Sequence, residues 1–346
     1  MSQPSVGIVS AGMYTPETFM TAGDIANSSG LPEWVVKEKL GIEKKYMPDS
    51  GVHPNQMGAW AAQDCLSKCD VDPKEIDVIL CNTEEWREYL LWTSGINLAH
   101  EIGATNAWAM DLHMRCCTSI GALKTAKSIM LEDPDINTVM IAGGYNVGDF
   151  VNLKDHDTSW MFNIGAGGSA ILLKKNWPEN HVLGSHIIVD GSMNLHCVIP
   201  SSGTKKHPTD EAVKNNEFYF KLLEPEAMKS RLGEVSMDNW FKCIDKSLVD
   251  SGKYLNRELT RESVDFLNMI HVKPSAHKDM LNRLFLRETQ SVYLSEYGHT
   301  GEHDNVIVII ESLRQGKLND GDLMMMVGAG VGYVWGAACV QWGRVS

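Results

Sequence analysis

Ala107-Trp-Ala-Met-Asp-Leu-His-Met-Arg-Cys-Cys-Thr-Ser-Ile-Gly-Ala-Leu-Lys124 is the stretch on which the reading of the fold turns. Its opening residues form an apolar run that predicts a buried strand, and from Cys116 to Met130 small and apolar residues recur at helical spacing. A strand feeding directly into a helix is half of a βαβ unit. The junction also leaves Cys116 at a helix N-terminus, where unpaired backbone N–H groups and the positive end of the dipole favour thiolate over thiol. That position suits a nucleophile, although free cysteines are also among the most buried of core residues. Cys117 is the rival thiol, turned off the same axis by one step of helix.

The pattern continues in both directions. Residues 6–10, 78–81, 108–112 and 139–143 read as strands, and residues 55–68, 95–102 and 118–130 as helices. Residues 170–174 add a strand after the loop Asn163-Ile-Gly-Ala-Gly-Gly. Such alternation predicts a mostly parallel sheet covered by helices. A turn-rich, charged stretch over residues 200–216 precedes a second cycle. There, residues 236–251, 275–285 and 304–315 read as helices, and 266–272, 323–327 and 335–342 as strands. The two cycles repeat one order of elements, which predicts two similar units, residues 1–173 with the cysteine and residues 174–346 after it.

Composition narrows the class. The 346 residues are 43% hydrophobic and 22% charged, ordinary for a soluble globular protein. A formal net charge of -13 predicts no nucleic-acid partner and no docking on anionic membranes. The 8 cysteines have no disulfide-scaffold spacing, and Cys65 with Cys69 lacks a second pair of metal ligands nearby, so no metal is expected. Met1-Ser-Gln-Pro-Ser-Val-Gly-Ile-Val shows no basic segment before a long apolar run, so a cytoplasmic protein with reduced thiols is expected. The apolar tract over residues 323–342 is broken by glycines and reads as two buried strands around a turn, not as a membrane span.

The second cycle supplies partners for a nucleophile. The strand that begins at Phe266 carries His271 at its end, and Pro274 occupies a favourable first-turn position of the next helix. Tyr297-Gly-His-Thr-Gly presents His299 on a glycine-bracketed loop before another helix. Gly328-Ala-Gly-Val-Gly-Tyr is a turn small enough for a ligand to approach backbone N–H groups. Taken alone, His271 also fits a hydrogen-bonded core histidine, His299 a plain loop residue, and His277 a place behind the site or on the surface.

These motifs resemble β-ketoacyl-acyl-carrier-protein synthase III, a family of thiolase-fold condensing enzymes, through nearly the whole chain. The likeness rests on Ala99-His-Glu-Ile-Gly-Ala-Thr-Asn-Ala-Trp-Ala-Met-Asp-Leu, on Phe162-Asn-Ile-Gly-Ala-Gly-Gly-Ser-Ala, and most specifically on Gly328-Ala-Gly-Val-Gly-Tyr-Val-Trp-Gly-Ala. It implies an α/β chain with a thiolase-like fold, two βαβ-rich halves forming a layered α-β-α-β-α core. The family uses a cysteine, a histidine and an asparagine; by resemblance Cys116 and His271 match the first two, and His299 stands at the asparagine position. Further departures are Cys117-Thr118 after the nucleophile, Glu302-His303-Asp304 in place of small residues, and Val331 in place of a glycine whose N–H serves the oxyanion hole.

The resemblance implies acyl transfer from an acyl thioester of coenzyme A or a carrier protein to Cys116, with the oxyanion held by the N–H groups of Cys116 and Val331. His271 and His299 would then stabilise the enolate of a decarboxylating malonyl-type thioester, giving a β-keto product without a bound cofactor. By the same resemblance Lys37 or Lys39 would contact the nucleotide of coenzyme A, and Gly330 and Gly332 the substrate. Trp86, Leu91 and Trp92 would line the acyl pocket and reach the other subunit of a homodimer. The departures keep two alternatives open: a non-decarboxylating acyltransferase to oxygen, nitrogen or aromatic carbon, and a degenerate partner of an active homologue.

Overall fold

The computed structural model describes residues 5–344; Met1 to Pro4, part of the stretch read for a leader, and the last two residues lie outside it. The core is a nine-stranded mixed sheet, not the mostly parallel one expected: three neighbouring pairs are parallel and five antiparallel. In spatial order its strands are Phe266–Met269, Leu323–Gly330, Val334–Arg344, Glu179–Val189, Val6–Tyr14, Gly167–Lys175, Thr138–Tyr145, Val78–Cys81 and Trp108–Asp111. The sheet narrows between Glu179–Val189 and Val6–Tyr14, which are joined through the single pair Gly7 and His181. Five strands therefore lie on one side of this waist and four on the other.

Both faces of both groups are covered, which is why the strands read as continuous apolar runs rather than as clean alternation. Side chains along each strand still point to opposite faces. In Val78–Cys81, Val78 and Leu80 pack against Ile120 and Leu123, whereas Ile79 packs with Ala62 and Leu98. Across the waist, Met324 and Met326 join the cluster of Ile120, while Met325 and Val327 join Trp240 and Ile244. The helices Thr118–Glu132 and Asp304–Arg314 thus form a middle layer between the two strand groups. Pro54–Leu66 and Ser94–Glu101 cover one outer face, and Pro225–Leu255 and Pro274–Arg283 the other. The result is the layered α-β-α-β-α core of a thiolase-like fold.

Most expected elements are present within a few residues, and two differences bear on the site. The eleven-residue strand Glu179–Val189, a central member of the sheet, has no counterpart in the sequence reading. Asn180, His181, Gly184, Ser185 and His186 interrupt it, and its flanking positions are half-buried, so neither an apolar run nor an alternation shows. The helix expected over residues 236–251 begins at Pro225 and runs 31 residues, because its polar first turns bury little beyond Met228 and carry no apolar period. Among the described residues no helix is long and apolar enough to cross a membrane, and 323–342 is the predicted strand pair.

Candidate active site

Strand Trp108–Asp111 ends at a carboxylate that fixes its surroundings. Asp111 accepts the N–H groups of Ser94 (3.1 Å) and Gly95 (2.8 Å) at the start of a helix, and the Arg87 guanidinium at 2.5 Å. Arg115 then takes a left-handed backbone conformation, φ 53°, and Cys116 follows in the tight turn Arg115–Cys117 that opens into helix Thr118–Glu132. For a residue with a Cβ this conformation costs about 1–2 kcal/mol. Local contacts hold it: the Thr118 hydroxyl donates to the Arg115 carbonyl (2.6 Å) and accepts the Met114 N–H (2.7 Å). The Arg115 guanidinium is also pinned by Glu84 (2.6 Å) and Glu85. A Cβ at Gly330 would lie 2.7 Å from the Arg115 Cβ and 3.0 Å from the Cys116 nitrogen, so the glycine turn packs directly on the Cys116 backbone.

Cys116, His299 and Asp304 form one line. The Cys116 sulfur lies 3.0 Å from Nε2 of His299, and Nδ1 of His299 lies 2.6 Å from Oδ2 of Asp304. Asp304 is fully buried and also accepts the backbone N–H groups of His271 and Thr300, each at 2.7 Å. Burial alone would oppose protonation of His299. The Asp304 carboxylate and the Cys116 thiol outweigh it, and the imidazole pKa is raised well above its ordinary value.

His271 is placed differently. Its Nε2 lies 3.0 Å from the Gly41 carbonyl, which can only accept, so Nε2 carries the proton and donates. Its Nδ1 accepts from the Asn163 amide at 2.7 Å. Both ring nitrogens are therefore engaged away from Cys116, and burial pushes the pKa down to about 4, leaving the ring neutral. His277 sits further back, 3.1 Å from the Ser291 hydroxyl, and burial holds it near 4 as well. Cys117 is fully buried against Gly336, and burial pushes its thiol up.

Cys116, His271, His299, Gly330, Val331 and Gly332 line one cavity of about 1760 Å³. Trp86, Phe150, Trp160, Phe220 and Trp240 give its other walls an aromatic character, and Lys229 and Lys273 also line it. Lys39 and Trp92 are not on these walls: the Lys39 ammonium lies 6.0 Å from the Trp34 ring, and Trp92 sets an edge on Tyr89 at 5.8 Å. Leu40 and Trp86 line the cavity in those two regions. Lys37 is paired with Glu33 (3.1 Å) and Glu43 (3.4 Å).

Three features were missed or half-seen in sequence. Asp304 stood out as a charge among expected small residues, but its line to His299 needed the turn Gly301–His303 between them. Asn163 gave no signal beyond its glycine-rich loop. Glu302 is fully buried and, among the described residues, its carboxylate has no hydrogen-bond partner; burial raises its pKa well above the usual range, and His303 lies 3.3 Å away, off hydrogen-bond geometry. Glu84 is shifted the same way by burial and then by Glu302. Glu84, Glu85 and His113 bring ligand atoms within 4.8 Å of one another, yet the Arg115 guanidinium already supplies the positive charge there.

Gly301 holds this turn at φ 59°, and a Cβ on it would fall well inside van der Waals contact with the Tyr145 ring. Gly301→Ala should cost about 3 kcal/mol from left-handed strain and overpacking together, read as a lowered denaturant midpoint. A midpoint equal to the parent's would show that Tyr145 yields freely.

The chain resembles known proteins along nearly its whole length. Residues 110–191 match the family model for 3-oxoacyl-[acyl-carrier-protein (ACP)] synthase III, and residues 256–342 match that for its C-terminal part. A β-ketoacyl-[acyl-carrier-protein] synthase III of Bacillus anthracis is 26% identical over 341 residues, covering 98% of this chain and all of that one. The priming β-ketosynthase of the R1128 polyketide pathway superposes with a TM-score of 0.82 at 19% identity, covering 99% of this chain and 98% of its own. Xanthomonas campestris OleA, crystallised with lauric acid and lauroyl-CoA, superposes at 0.76 with 16% identity, covering 98% and 99%.

Proposed function

As this chain is a synthase III-like protein of the thiolase fold, we propose that it takes an acyl group from a thioester onto Cys116 and passes it to an acceptor with His299 as general base. The contact of 3.0 Å between Cys116 and His299, continued at 2.6 Å to Asp304, carries the reading. The cysteine proton goes to Nε2 of His299, the sulfur attacks the thioester carbonyl, and the imidazolium returns that proton to the departing thiolate. Backbone N–H groups of Cys116 and Val331 receive the oxyanion. The relatives' names support coenzyme A or acyl carrier protein as the carrier of the acyl group. These steps draw on no metal or redox group.

The geometry favours transfer without decarboxylation. Once the imidazolium has returned its proton to the departing thiolate, and acylation has removed the Cys116 charge that helped to hold it, the ring keeps its Nδ1 proton toward Asp304 and Nε2 faces the acyl-cysteine with a lone pair, as a base. Stabilising a malonyl-derived enolate calls instead for N–H groups aimed at the second carbonyl, and His271 gives its N–H to Gly41. The acceptor would then lose a proton from oxygen, nitrogen or carbon. Decarboxylative condensation is the second reading, favoured because His271, His299 and the Gly330–Gly332 turn share one cavity wall.

Intact-mass spectrometry with an acyl-coenzyme A series, followed by malonyl-coenzyme A or malonyl carrier protein, separates them. Acyl mass on the Cys116 peptide with no carbon dioxide release is expected. Carbon dioxide with a β-keto product would establish the second reading, and no acyl adduct would remove both. A homodimer belongs to the same proposal, supported by the terminal strand Trp108–Asp111 and by the exposed Tyr89, Leu90 and Leu91 that precede helix Ser94–Glu101.

A further inference from the structure

The helix that follows Cys116 carries a second chemical oddity, eleven residues along at Lys127. Lys127 is 7% exposed, yet among the described residues no carboxylate pairs with it. Its ammonium donates to the Leu183 carbonyl at 2.7 Å and lies 3.6 Å from the centre of the Tyr254 ring. Both contacts stabilise a cation without neutralising it. Buried charges are ordinarily paired, because desolvating an ion without a counter-charge costs several kcal/mol.

Lys127 lines a separate cavity of about 360 Å³ between helix Thr118–Glu132, strand Glu179–Val189 and the end of helix Pro225–Leu255. Lys124 and Lys253 line it too, with the Ser128 side chain. Lys124 donates to the Ser185 carbonyl at 3.2 Å, its one side-chain nitrogen bond among the described residues. The one acid on the wall, Asp250, is already shared by Lys246 (3.0 Å) and Lys253 (2.8 Å). The positive field is felt nearby: burial and then Lys124 and Lys246 lower the pKa of His186. Burial followed by Lys124 likewise holds Lys127 down, near 7.

We propose that this cavity is a binding site for a compact, multiply charged oxyanion, a phosphate or polycarboxylate group, with Lys127 as its buried recognition charge and Lys124 at its rim. Such an anion supplies the counter-charge that the fold leaves out. Lysines act here as point charges, and charge-assisted bonds of this kind suit phosphate and carboxylate oxygens alike. The site is separate from the Cys116 cavity and does not depend on the reaction assigned to it.

Isothermal titration of the full chain with inorganic pyrophosphate and, in parallel, with citrate, at constant ionic strength, tests this. At least one probe should bind with a single site, and the one that binds names the ligand class. Lys127→Met should weaken it by about tenfold or more, the worth of one charge-assisted bond, and Lys127→Arg much less. Lys124→Met, at an exposed position that leaves the core intact, should also weaken it. Neither variant should change acyl capture on Cys116. Absence of binding by both probes, or equal binding by the parent and both methionine variants, would overturn the proposal.

Discussion

Asp304→Asn should slow acyl capture on Cys116 by roughly 10³- to 10⁴-fold, in keeping with the loss seen when the orienting carboxylate of a catalytic triad becomes an amide. The side chains are nearly isosteric, and with its amide nitrogen toward His299 the asparagine still accepts the Thr300 N–H through its oxygen, while the His271 N–H, which shares Oδ2 with His299, loses its acceptor. What changes is the proton. An amide N–H aimed at Nδ1 of His299 forces the ring proton to Nε2, where it faces the sulfur as a donor instead of a base. The charge that raises the His299 pKa is lost as well. The imidazolium must protonate the leaving thiolate, so capture falls as pH rises through the His299 pKa. That alkaline limb should therefore move to lower pH in the variant. Single-turnover labelling across pH reads both effects, and an unmoved limb with an unchanged rate would sink the role given to Asp304. The same exchange puts an N–H where a malonyl carbonyl would want one, so any carbon dioxide release should rise relative to capture.

Cys116→Ala should abolish acylation outright, while Cys117→Ala should retain it within a few-fold. The two thiols are adjacent in sequence and opposite in environment. Cys116 faces the cavity and the His299 ring, whereas Cys117 has no exposure and belongs to the core around Ile120. Removing the buried sulfur should instead cost about 1 kcal/mol of stability, a typical core truncation. Peptide mapping of the acyl adduct decides the matter; an adduct that survives Cys116→Ala and vanishes with Cys117→Ala would reverse the assignment.

Cys116 was legible because its signal is local: an apolar strand, a tight turn and a helix in consecutive residues. His299 and the Gly328–Gly332 turn were legible as motifs, through glycines that allow close approach. Asp304 was visible as an odd charge but not as a partner, since only the turn Gly301–His303 brings its carboxylate round to the ring five residues before it. His271 lies two residues past the strand Phe266–Met269 rather than at its end, and the direction of its imidazole depends on Gly41 and Asn163, far away in the chain. Strand Glu179–Val189 failed for a related reason: its polar residues are accommodated by neighbours, and no local period records that.

Helix Thr118–Glu132 has apolar side chains on opposite sides, and the surfaces that receive them are made at very different times. Strands up to Gly167–Lys175 cover one side, while Leu323–Gly330 and Val334–Arg344 supply much of the other. Ile120 also lies against Gly328 and Gly336, so during synthesis its cover is complete only when the last few dozen residues arrive. The emerging first half is thus a sticky intermediate that holds Cys116 but lacks His299 and Asp304. A ribosome stalled late would release an aggregation-prone chain rather than a partly active one, and acyl labelling of Cys116, on the proposed function, would certify that both halves have packed together.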